Sequence, residues 1–164
     1  MIAELEDIAA KAPSDRFCTH LLSQAWRQKG EIQLAAGTGN PADSAGRAIA
    51  FAKKLPGPGA NSGEAAELVH DEIFLGQVLD RASERTAAQA EWIRAKALLD
   101  PRVPGTRDWR ILDPYARTLD LLGQFDAAGA IINRLRQQGY VPRQPWPASA
   151  LAAANSPSVN PSHN

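Results

Sequence analysis

Residues 75–101 read LGQVLDRASERTAAQAEWIRAKALLDP, and the way this stretch folds decides the fold of the whole chain. With Leu68 and Phe74 just upstream, Leu75, Val78 and Leu79 recur at helical spacing, which predicts a helix from about Gly63 to Ala82. Ser83-Glu84-Arg85 is a turn by composition. Beyond it Ala88, Trp92, Ala95, Leu98 and Leu99 lay a second apolar stripe on a second helix, and Asp100-Pro101-Arg102-Val103-Pro104-Gly105 stops it. Two helices joined by so short a turn pack as an antiparallel hairpin.

The same reading extends in both directions. Ile2, Leu5, Ile8, Ala9 and Ala12 predict an N-terminal helix ended by Pro13. Ser14 or Asp15 caps the next, whose apolar stripe is Phe17, Leu21, Ala25, Ile32 and Ala36. After the turn at Gly37-Thr38-Gly39-Asn40-Pro41, a third helix from about Ala42 to Leu55 turns Ala45, Ala48, Ile49 and Ala52 inward, and Pro56-Gly57-Pro58-Gly59 breaks the chain. Downstream, Trp109, Leu112, Ala116, Leu119 and Leu122 mark a sixth helix. Gly123 makes a turn, and Ala128, Ile131, Ile132 and Leu135 mark a seventh, with Gly139 as its left-handed cap. From Val141 the chain is rich in Pro, Ser and Asn. Residues 1–140 therefore form the helical domain, 141–164 a tail, and 148–164 are expected to lack order. Trp146, flanked by Pro145 and Pro147, either folds back over the last hairpin to cap its exposed apolar face or stays a mobile motif.

Composition agrees with an all-α chain. Alanine dominates the 44% hydrophobic fraction, aromatic and β-branched residues are sparse, and no period-two pattern occurs. Eighteen basic against eighteen acidic residues give no electrostatic argument for nucleic acid or anionic lipid. Charge is uneven, about −4 over residues 61–100 and +3 over residues 101–164. The offset either orients a charged partner or reflects two solvated faces. One cysteine, Cys18, excludes an internal disulfide and reads as a small buried apolar residue. No run is long and apolar enough for a membrane span, and the acidic N-terminus lacks a signal-peptide pattern, so a soluble, cytoplasmic protein is expected.

Residues 75–101 resemble a tetratricopeptide (TPR) unit: Leu75-Gly76 with Leu79 after it, Ala88, Trp92 and Ala95 at the second-helix spacing, and Pro101 at the close. Tyr115-Ala116, Leu119, Ala128, Ile132 and Leu135 repeat the pattern more weakly. Trp26, Gly30, Ser44, Ala48 and Phe51 repeat it loosely, with Lys29 in place of the leucine. The small residues Gly30, Gly76 and Ala116 stand 46 and 40 residues apart, longer than the usual period of about 34. The resemblance implies a right-handed superhelical stack of about three hairpins, with the Ile2–Ala12 helix as a cap or as half of another hairpin, and possible origin in a longer bacterial protein. An ordinary Ala-rich helical bundle is the competing architecture.

What the resemblance implies about function is protein–protein interaction. A partner would lie in a concave groove lined by the first helices: Gln24, Arg27 and Glu31; His70, Ile73, Gln77, Asp80 and Arg81; Arg110, Asp113, Arg117 and Asp120. The partner would be a protein or peptide segment, with Arg110 and Arg117 able to attract an acidic one; nucleic acid and membrane are not expected, and nothing bears on oligomeric state. The alternative is a regulatory or sensory domain of a bacterial transcriptional regulator or Ser/Thr kinase. The Lys/Arg-x-x-x-Asn clamp of the chaperone-binding subclass is missing, since Arg27 precedes Glu31, Ile73 precedes Gln77 and Asp113 precedes Arg117. Adjacent helical residues diverge, so His70-Asp71-Glu72 cannot converge on one atom, and Glu67 with His70 are too few ligands for structural zinc. No phosphate loop, serine elbow or zinc-protease helix occurs. No catalytic residue, metal or cofactor is expected, and Trp26, Trp92 and Trp109 are expected in the core.

Overall fold

Local side chains and turn residues set most of the helix ends. The Asp15 carboxylate accepts from the Phe17 and Cys18 amides at 2.9 and 3.1 Å and starts one helix. Asn40 caps another, with Pro41 at its first position, and Asp108 accepts from the Arg110 amide to start a third. The computed structural model describes residues 2–55 and 62–155. Among them the α-helices are α1 Ile2–Lys11, α2 Arg16–Ala36, α3 Pro41–Ala52, α4 Ser62–Arg81, α5 Arg85–Leu99, α6 Trp109–Leu121, α7 Phe125–Gln137 and α8 Ala148–Asn155, with a 3-10 turn at Asp100–Arg102. The predicted break at Pro56–Gly59 lies outside the described residues. The chain is all-helical there, and no described helix is long and apolar enough to cross a membrane.

The α4–α5 and α6–α7 turns are one motif. Ser83 and Gly123 both take the left-handed conformation, at φ 65° and 74°. The next amide in each turn, Glu84 or Gln124, reaches back to Leu79 O at 2.9 Å or Leu119 O at 2.8 Å.

The helices pair in sequence: α2 packs on α3, α4 on α5, and α6 on α7. Each second helix also touches the next first helix (α3 on α4, α5 on α6), and the first helices touch in series, α2 on α4 and α4 on α6. The core is accordingly divided into clusters in chain order. Cys18, Leu22, Trp26 and Ala48 lie under α1. Ala45, Phe74 and Val78 follow, then Val69, Ile73, Ala95, Leu99 and Ile111. Leu112, Ala116, Leu119, Ala128, Ile132 and Leu135 close the series with Trp146 and α8.

Small residues allow these approaches. Gly76 lies against Trp92, whose indole donates to Ile73 O at 3.4 Å; an added Cβ on Gly76 would overlap that ring. Ala88, Ala95, Ala116 and Ala128 are buried with it.

Several expectations need correction. Phe17 (71% exposed), Ile32 (68%), Ile8 and Trp109 (50% each) face outward. In α2 the buried line is Cys18, Leu22, Trp26 and Gly30, every fourth residue, which leaves Phe17 a turn-phase away. Residues 148–155 are not an unordered tail but α8, with Ala150 and Ala154 buried; residues 156–164 lie outside the described residues. Composition misled here because alanine buries little area on its own. The methyls count once Gly129 lets the α8 backbone close in, where an added Cβ would meet Ala154 N at 2.7 Å.

Candidate functional site

Two polar rows meet where α2 packs on α4. Ser23 and Arg27 are one helical turn apart, as are Glu67 and Asp71. The Arg27 guanidinium binds Glu67 Oε1 through Nη2 at 2.7 Å, and its Nε approaches Asp71 Oδ1 at 2.9 Å, an ion pair out of line for a hydrogen bond. Ser23 donates to Asp71 Oδ2 at 2.6 Å. The Gln24 amide donates to Glu67 Oε2 at 3.2 Å and to His20 Nε2 at 2.9 Å. In a neutral ring this places the His20 proton on Nδ1, which faces Glu67 Oε2 at 3.9 Å.

Burial dominates the electrostatics of this seam. It pushes Asp71 up to about 7, against the hydrogen bond from Ser23 and the attraction of Arg27. Burial also opposes the Arg27 cation, but Glu67 and Asp71 together hold its pKa above the ordinary value. His70 is held below the ordinary histidine range, first by burial and then by Arg27. Glu67 and Asp113 pull it up, and Arg117 pulls it down. His70 thus lies within the fields of groups on α2, α4 and α6. Away from this seam, burial and the like charge of Glu91 raise Glu72, whose Oε2 is buried without a hydrogen-bond partner.

On α6 the polar face is turned to the chain's own C-terminal segment. Arg117 donates to Gln144 O at 2.6 Å and Pro145 O at 3.2 Å, while its Nε binds Asp113 Oδ2 at 3.2 Å. Asp113 Oδ1 accepts from the Trp146 indole at 2.7 Å. Ser149 donates to Asp120. Trp109 stacks on Tyr140 with centroids 5.5 Å apart, and Tyr140 lies 6.2 Å from Trp146, which is buried.

The sequence-derived groove is therefore split. Gln24, Arg27 and His70 line the seams between first helices. Asp113, Arg117 and Asp120 hold residues 144–149, and Ile73 faces the core. Glu31, Gln77, Asp80, Arg81 and Arg110 remain exposed, Glu31 within 3.8 Å of Arg27 and Arg110 bound to Asp108 at 2.9 Å. Both arginines expected to attract an acidic segment thus have partners within the chain, Arg117 the more completely.

Sequence reasoning missed Ser23, Asp71 and Tyr140 as partners. The i, i+4 spacing of Ser23 with Arg27 and of Glu67 with Asp71 was a visible signal. The position of Tyr140 depended on Trp109 turning outward and had none.

Among the described residues no group of three or more His, Cys, Asp or Glu side chains is placed to hold a metal. A polar cavity of about 560 Å³ lined by Gly105, Thr106, Arg107, Arg134, Gln137 and Gln138 contains none of the predicted residues. No protein-family model, curated protein or solved structure matches the chain.

Proposed function

We propose that the protein is an interaction module rather than a catalyst: a TPR-like, right-handed stack of three antiparallel hairpins that holds an extended peptide or a helix of a partner protein. The observation that carries this reading is the order of helix contacts. First helices touch in series, and each second helix packs on the next first helix. Gly30, Gly76 and Ala116 are buried at matching positions. Repetition of one packing unit leaves corresponding residues of successive first helices in register.

Glu31 and Gln77 each follow the small residue of their helix and are exposed, with Asp80 and Arg81 one turn on. Arg110 supplies the α6 end. The row mixes donors, acceptors and both charges, which suits hydrogen bonding to an extended main chain and its side chains. Full-length protein carrying Glu31→Lys, Gln77→Ala and Arg81→Glu should keep its helical circular dichroism and lose a partner captured by the wild type from the source cells. A control reversal on α5, Arg94→Glu, should retain that partner. Equal capture by all three proteins would exclude the row as the docking surface.

A further inference from the structure

The face of α6 expected to receive a guest holds the segment Gln144–Trp146 of the chain itself. Its chemistry is that of peptide recognition. Pro145 and Pro147 remove two main-chain N–H groups and favour an extended backbone, so the segment presents carbonyl oxygens that require donors. Arg117 has only donors, and it meets two consecutive carbonyls, Gln144 O and Pro145 O. Its guanidinium is held by Asp113 through Oδ2, and the other oxygen of that carboxylate accepts the Trp146 indole N–H at 2.7 Å. The Trp146 ring is buried, with the Tyr140 ring tilted against it at 6.2 Å and the Arg136 guanidinium over it at 5.8 Å. A main-chain clamp, an acceptor for an indole and an aromatic wall together select an extended peptide with a tryptophan between prolines.

We propose that this α6–α7 face is a binding subsite for Pro-Trp-Pro peptides, filled in cis by residues 144–147 and open to the same sequence supplied in trans. The inference rests on the reading of the first helices as a peptide-binding surface but concerns Asp113 and Arg117 of α6, separate from Glu31, Gln77 and Arg81 on α2 and α4. A tethered segment competes at an effective concentration on the order of millimolar, so the wild type should exchange poorly. Emptying the indole pocket from the cis side should admit the external peptide.

The test uses a fluorescein-labelled synthetic peptide with the sequence of residues 141–155, titrated by anisotropy into the full-length protein. Trp146→Ala protein should bind it about tenfold or more tighter than the wild type does. Adding Asp113→Ala to that protein, which removes both the indole acceptor and the Arg117 partner, or replacing the peptide's own tryptophan by alanine, should abolish the gain. If Trp146→Ala proves unfolded by circular dichroism, Trp146→Phe removes the indole donor while keeping a ring, and it should bind more tightly than wild type in the same way. Absence of binding to a folded variant, or equal binding to wild type and variant, would overturn the proposal. The outcome with the α2–α4 row variant is independent, so failure here leaves the broader reading standing.

Discussion

An added Cβ on Gly76 has nowhere to go, because the Trp92 indole lies where it would stand and is itself tied to Ile73 O. Gly76→Ala is therefore expected to destabilise the fold by about 1–3 kcal/mol, although the same change on an exposed helix face would stabilise it. Urea denaturation decides between the two signs. At Asp71 the question is one of charge. Its carboxyl titrates near 7 in the fold, against an ordinary value of 3.8, so between those pH values the folded chain binds more protons than the unfolded one. The contribution of Asp71 to stability is fully present below about pH 4 and is lost as pH rises through 7, by a few kcal/mol over the window. Asp71→Asn should remove that slope. Unfolding curves at pH 5 and pH 8 should show the variant gaining on the wild type at the higher pH, and a difference independent of pH would count against the assignment. Gly76 was legible in the sequence because the small residue and Trp92 belong to one spacing pattern. The raised titration of Asp71 was not, since it comes from burial where α2 packs on α4, a burial that outweighs the opposing pull of Ser23 and Arg27.

Among the elements, the two hairpin turns offer an internal comparison. Gly123 adopts the left-handed conformation without penalty, whereas Ser83 holds it with a side chain in place. Ser83→Gly should raise stability by about 0.5–1 kcal/mol, measured by thermal or urea unfolding, because Ser83 is exposed and no other contact is forfeited. Helix positions followed from periodicity and punctuation, and the observed ends fall close to the expected ones. The faces were harder to place. Phe17 and Ile32 fit an apolar stripe in α2, but the buried line runs through Cys18, Leu22, Trp26 and Gly30, and only the arrival of α1, α3 and α4 selects between the two phases. Helix α8 was illegible for a related reason. Its alanines carry a weak signal until a partner surface exists, and that surface is made by Gly129 and by Asn133, which donates to Ala154 O at 2.9 Å.

Over the whole molecule, contacts run mainly between neighbours, and the core is a series of clusters rather than one centre. Stability in such a chain is a sum of local units and their interfaces, so damage at one end should travel weakly to the other. The half-buried Arg27 links α2 to α4 through two carboxylates, and Arg117 links α6 to the segment that follows α7. Guanidinium groups thus sit at both polar joints, while the α4–α6 joint packs through Val69, Ile73 and Ile111, with His70 in the fields of Asp113 and Arg117. The sequence displayed these residues but not their division into joints and open surface, because that division depends on which neighbour each helix meets. The lone thiol has a practical corollary. Cys18 lies beneath α1 and donates to Leu5 O at 3.4 Å, so reagents reach its sulfur only when that first helix lifts. At the other end of the series the Trp146 indole is buried in the last cluster, and its emission is one of four tryptophan signals. The native chain thus carries a chemical reporter of opening at one end, and replacing Trp26, Trp92 and Trp109 would leave an optical one at the other.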